Sequence, residues 1–253
     1  MPKAQPGVVS EPYVRRPYSS LAENDLGECV RLMGRSALFA GLSTTQCSQI
    51  ATSGRARIFS RRDFVFIQGQ PVRQAFLVKS GCIKISLLGR DGREVILRLS
   101  GPGDVVGVVG MSARGSHTWS AQVVEDCSGF LWEASHFDLF FEQFPMIRRN
   151  LAAILSDRLS ELEERFREIA TERVGQRVAH ELGRLFKKIG KPLDDGCEIN
   201  LSREELAQMT GTTLFTVSRL LSAWEQQGFV CPKREAVLVR DVQRLLELGD
   251  NEQ

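Results

Sequence analysis

The texture of this chain changes once, and sharply. From about residue 56 to 133 short β-rich runs alternate with glycines, as in "QAFLVKSGCIKISLLGRDGREVILRLSGPGDVVGVVG". At Phe144-Pro145 the apolar spacing becomes helical. A chain divided in this way predicts an α+β fold, with a β domain built first and helices after it.

Within the β region Phe76-Leu77-Val78, Cys82 to Leu87 and Val95 to Leu99 read as strands of ordinary length. "GRDGRE" joins the last two as a hairpin, because Asp91-Gly92 supplies the positive φ a tight turn needs. Many short strands at near-regular spacing make a small barrel or jelly roll. Residues 1–30 carry prolines at 2, 6, 12 and 17 without periodicity and read as a mobile or loosely docked tail. The barrel domain is expected over 31–143. It opens with a short helix on Leu38, Phe39, Leu42 and Ile50, whose second part Ser43 can cap.

Residues 144–172 predict one long helix. In a heptad frame Ala152, Leu159 and Phe166 share one core position, and Leu155, Leu162 and Ile169 the other. Asp157, Arg158, Glu161, Glu163, Glu164, Arg165 and Arg167 lie between them. A narrow apolar seam with charged flanks favours pairing with a copy of itself over packing on its own barrel. The expected dimer seam is Leu155, Leu159, Leu162, Phe166 and Ile169.

The strongest local signal is "NLSREELAQMTGTTLFTVSRLLSAWEQQGFV", within an expected third unit at 173–253. Ser202 with Glu205 three residues on is a capping box, so a helix starts there. Gly211 allows a tight turn, and a second helix opens near Thr213 with Val217, Leu220, Leu221 and Trp224 inward. Ala207, Gly211 and Val217 are a small residue for close approach, a turn glycine and a branched plug, the spacing of a helix-turn-helix. "GFVCPKREAVLVRD" then gives two short strands around Lys233-Arg234, a wing with cations at its tip.

If the second helix enters a major groove, its outward N-terminal side meets DNA. Arg219 can fork to guanine, and the hydroxyls of Thr213 and Thr216 suit phosphates, as do Lys233 and Arg234. Leu214 and Ser218 share that side. Phe215 either packs on a thymine methyl or folds back on the first helix.

Net charge is only +2, so cations for a nucleic acid must be gathered on one face. Six scattered cysteines without a CxxC pair, and no signal or membrane-spanning run, read as reduced thiols of a cytoplasmic protein. Histidines 117, 136 and 180 stand alone, with no HExxH, P-loop or nucleophile elbow, so catalysis is not expected.

The order barrel, long dimerisation helix, winged helix-turn-helix resembles the cAMP receptor protein/FNR (Crp/Fnr) superfamily of bacterial regulators, over about residues 35–245. The glycines at 69, 81, 92, 103 and 107 match that family's barrel turns, and "TGTTLFTVSRLLSAWEQQGFV" its recognition helix. The resemblance implies a cyclic-nucleotide-binding-type jelly roll and a homodimer on pseudo-palindromic double-stranded DNA. It also implies base contacts from Arg219 and Ser218, and RNA polymerase as a further partner. Where the family usually carries a glutamate this chain has Phe215, so its half-site should differ.

The effector pocket departs further. The family's ribose-binding glutamate falls at Val108 and its phosphate-binding arginine and serine at Thr118 and Trp119. Its adenine-binding hydroxyls fall at Leu162 and Glu163. These residues argue against cAMP, since a buried phosphate without a cation is unstable. The tentative pocket of Val108, Val109, Thr118, Trp119 and Leu162, with Val106 and Met111, suits an apolar effector or is simply filled core. An FNR-type iron–sulfur cluster needs a close cysteine group, and only Cys29 lies near that region. Haem stays open, with His117, His136, Met111 and the amine beside Pro2 as axial candidates. The alternative function is a ligand or redox/haem sensor module whose signalling does not depend on DNA binding.

Overall fold

A computed structural model describes residues 23–107 and 115–250. Its first helix, α1 (Glu23–Met33), corrects the expected tail. Leu26, Cys29, Val30 and Met33 recur at helical spacing, and Cys29 and Met33 are fully buried. Residues 23–30 therefore belong to the barrel domain; the prolines that suggested a tail all precede them, and residues 1–22 lie outside the described residues. A short 3-10 turn (Ala37–Phe39) leads to α2 (Thr44–Ala51). Ser43 caps α2 reciprocally with Gln46, its Oγ accepting from the Gln46 amide at 3.2 Å.

Six antiparallel strands follow: β1 (Arg55–Phe59), β2 (Phe64–Phe66), β3 (Gln74–Leu88), β4 (Glu94–Ser100), β5 (Val105–Val106) and β6 (Ser120–Glu133). They form one sheet in the order β1-β6-β3-β4, with β2 added on β6 and β5 on β3. The separate strands expected at 76–78 and 82–87 are one 15-residue strand. Gly81 was read as punctuation but acts as a bulge, with φ +85°, and the register to β6 shifts between Val78 and Ile83. A Cβ at Gly81 would stand 2.2 Å from the Asp126 carbonyl oxygen, so the strand bends there without ending. The hairpin "GRDGRE" is present: Leu88 faces Glu94 across the ladder, and Gly92 takes φ +82°.

Trp132 on β6 anchors α1, α2 and α3 (Ala134–Gln143) on the barrel, donating its indole N–H to the Ile50 carbonyl at 2.9 Å. Pro145 opens α4 (Pro145–Thr171), 27 residues and about 40 Å long at 1.5 Å per residue. Then come α5 (Val174–Ile189), β7 (Lys191–Leu193), β8 (Gly196–Ile199), α6 (Arg203–Thr210) and α7 (Leu214–Gln226). The chain continues through β9 (Val230–Pro232), β10 (Val237–Val239) and α8 (Val242–Asp250). The last four strands form a second sheet, β7-β8-β10-β9. Its apolar core of Val178, Leu182, Leu206, Val217, Leu221 and Leu245 continues onto Ile96 and Leu99, so α6 packs against β4 of the barrel.

Candidate nucleic-acid interface

Local chemistry builds the helix pair. Ser202 Oγ accepts from the Glu205 amide at 3.2 Å, and Glu205 Oε2 accepts from the Ser202 amide at 2.8 Å, which satisfies two end amides of α6. Gly211 ends α6 in the left-handed region at φ 63°, ψ 39°. A Cβ there would meet nothing within 4 Å, so the backbone angle alone calls for glycine. Thr213 then caps α7, its Oγ1 accepting from the Thr216 amide at 3.2 Å. Ala207, Val217, Leu221 and Trp224 are buried between the helices.

The opposite side of α7 faces solvent. Leu214 is 50% exposed and Phe215 77% exposed, so Phe215 does not fold back on α6. Arg219 is exposed and makes no carboxylate contact among the described residues, while Thr216 and Ser218 are half-buried beside it. Phe215 and Arg219, four residues apart, thus present a phenyl ring and a guanidinium to solvent on one helix face.

The wing is present, β10 pairing with β9 around the exposed Lys233 and Arg234. Lys233 Nζ is paired with Glu198 Oε1 on β8. Arg234 at the same tip is exposed. Glu235 is paired with Arg61 of the barrel. Behind the wing lies a hairpin the sequence reading missed, β7–β8, which Asp194-Asp195-Gly196 could have signalled.

On α4 the outward stripe is unburied in the single chain: Leu155 39%, Leu159 58%, Leu162 44%, Phe166 75% and Ile169 55% exposed. The inward stripe also has a heptad spacing. Ile147 and Leu151 are buried and Ile154 is half-buried against the barrel, but lower down the stripe turns ionic. Arg165 was expected to flank the seam as a solvated charge. It instead points inward, donating to the Leu97 carbonyl at 2.6 Å and to Glu181 at 2.9 Å. Arg184 of α5 bridges Glu168 at 2.5 Å and Glu181 at 2.7 Å. Glu181 is 1% and Glu168 4% exposed, so this is a buried network joining β4, α4 and α5. The available signal was Glu181 itself, a carboxylate among Val178, Leu182 and Leu185 on one apolar helix face. His180 adds Nδ1 to Glu172 at 3.1 Å, while the carboxylates of Glu168 and Glu172 are already engaged by Arg184 and Arg167.

Of the expected effector residues the structure describes, Thr118 and Trp119 precede β6 and Leu162 lies on α4. Val108 and Val109 lie outside the described residues. Thr118 is exposed, Trp119 packs half-buried against the barrel core, and Leu162 sits on the outward stripe of α4. His117 is buried with its ring stacked on Phe66, centroids 3.7 Å apart, and burial pushes its pKa down to about 4.

A barrel joined by a long helix to a winged helix-turn-helix with an open recognition face defines a DNA-binding transcription regulator. Comparison with known proteins places it more closely. Residues 56–144 match the cyclic nucleotide-binding domain family and 176–248 the Crp-like helix-turn-helix domain family. The chain is 29% identical over 217 residues to the cyclic AMP receptor protein of Thermus thermophilus, covering 86% of this chain and 98% of that one. It is 25% identical over 216 residues to a CRP-like cAMP-activated global transcriptional regulator of Mycobacterium tuberculosis, covering 85% and 96%. Among solved structures, FixK2 from Bradyrhizobium japonicum shares the fold with a TM-score of 0.69 at 24% identity, covering 79% of this chain and 99% of that one. The chain belongs to the Crp/Fnr superfamily of transcription regulators. No helix among its described residues is long and apolar enough to cross a membrane.

Proposed function

We propose that two copies of this chain pair along α4 and present α7 to successive major grooves of a pseudo-palindromic operator, about 34–36 Å apart. The observation that carries this reading is the open face of α7, where Leu214, Phe215 and Arg219 stand in solvent on a helix whose other side is locked into the core. Arg219 takes guanine O6 and N7, Ser218 reads beside it, and Phe215 and Leu214 offer apolar contact to thymine methyls. Thr213, Thr216 and Arg234 hold the phosphates. Lys233 joins them by leaving Glu198, since a solvent-exposed ion pair is worth at most about 1 kcal/mol. The five outward apolar residues of α4 support the pairing, because a monomer gains nothing from exposing them.

In this reading the protein is a cytoplasmic regulator that works with RNA polymerase and acts by binding, not catalysis. It does not answer to cAMP: the position matching the phosphate-binding arginine is Thr118, uncharged and exposed. Arg219→Ala tests the DNA reading. Affinity for the operator should fall about 10- to 100-fold, from the loss of roughly 1–3 kcal/mol of base discrimination, with much smaller change on unrelated duplex. Unchanged operator affinity in a titration by fluorescence anisotropy would favour a sensor module that signals without DNA.

A further inference from the structure

The exposed face of α7 divides into two chemistries. Leu214 is 50% and Phe215 77% exposed, and Arg219 stands in solvent one turn further on. Residues four apart are neighbours on a helix surface, so the phenyl ring and the guanidinium lie side by side. Between Thr213 and Trp224 the helix holds no carboxylate and no side-chain amide. Those are the groups that accept from a cytosine amine or grip both edge atoms of an adenine.

The hydroxyls beside Phe215 do not replace them. Thr213 Oγ1 accepts from the Thr216 amide at 3.2 Å and lies 3.0 Å from Thr216 Oγ1, so this pair is engaged at the helix cap. The Leu214–Phe215 end of the face therefore offers apolar surface to a base pair and little else. In the major groove, the base-edge feature that answers apolar surface is a methyl group on pyrimidine C5. Thymine carries that methyl, and so does 5-methylcytosine. Uracil and cytosine lack it.

We infer that Leu214 and Phe215 select a C5-methylated pyrimidine, accepting thymine and 5-methylcytosine alike, beside the guanine held by Arg219. This rests on the reading of α7 as the DNA-contacting helix and extends it from a base sequence to a chemical class of base. Four residues advance about 6 Å along a helix, against 3.4 Å for a base-pair step, so the methyl lies within about two base pairs of the guanine. Burying it against the phenyl ring takes apolar surface of both partners out of water. No hydrogen bond between this end of the face and the base pair is made or lost when a thymine–adenine pair becomes 5-methylcytosine–guanine. A site with cytosine in that place therefore gains affinity when the cytosine is methylated at C5.

Four duplexes test this by fluorescence anisotropy with the full-length protein, each built on the operator selected from random DNA. They differ only at the thymine enriched next to the guanine, which is kept or replaced by uracil, cytosine or 5-methylcytosine in both half-sites. Thymine should bind tighter than uracil, and 5-methylcytosine tighter than cytosine, by about 15-fold in each case, roughly fourfold for the methyl buried in each half-site. Phe215→Ala, whose side chain is exposed and leaves the core untouched, should reduce both ratios to roughly twofold or less while dependence on the guanine remains. Equal affinity within either pair, ratios unchanged in Phe215→Ala, or an operator with no thymine enriched beside the guanine overturns the inference while guanine reading by Arg219 stands. No preference for the operator over unrelated duplex would instead sink the reading of α7 itself, and this inference with it.

Discussion

Glu181→Ala is expected to lower the stability of the protein by about 3–5 kcal/mol, the cost of removing one partner from a buried ionic network. Glu181 is 1% exposed and accepts from Arg165 at 2.9 Å and from Arg184 at 2.7 Å. Without it Arg184 keeps Glu168, but Arg165 keeps only Glu161 at 3.6 Å and the Leu97 carbonyl. A guanidinium stays out of water with little to neutralise it. Urea denaturation should show a lower midpoint at unchanged slope. A loss below 1 kcal/mol would mean that water reaches the network freely. Because Glu181 connects α4, α5 and β4, the same variant should also shift operator affinity in its folded fraction.

The second large effect concerns pairing. Leu159→Glu combined with Phe166→Glu should leave a monomer in sedimentation equilibrium and weaken operator binding by 10²-fold or more, because the second half-site is then no longer held at high effective concentration. Both side chains are exposed in the single chain, at 58% and 75%, so the fold of each protomer should be retained. A variant that stays dimeric would move the interface off α4.

How far the sequence could be read depended on whether the signal was local. Ala207, Gly211 and Val217 announce the helix pair because each answers a local demand of close approach, turn or plug, and the Ser202–Glu205 box closes within four residues. The barrel was legible as a class for the same reason, yet not in detail. Gly81 ends a strand on paper, but pairing with β6 carries the chain through it, and only the opposite strand decides that. Helix α1 was obscured by the prolines before it. The ionic inner stripe of α4 was the largest omission. Arg165 and Glu168 have the spacing of solvated flanking charges, and nothing near them in sequence says that Glu181 and Arg184 will meet them. At the candidate interface, Phe215 was readable as present, but its exposure had to come from the packing of α7.

One experiment bears on all of this: selection of duplexes from random DNA by the wild-type protein, followed by sequencing. Two inverted half-sites with centres about 10–10.5 base pairs apart should emerge, each with a guanine that Arg219→Ala no longer enriches. Enrichment of a lone asymmetric site, or of no sequence at all, would contradict a paired regulator that reads DNA through α7.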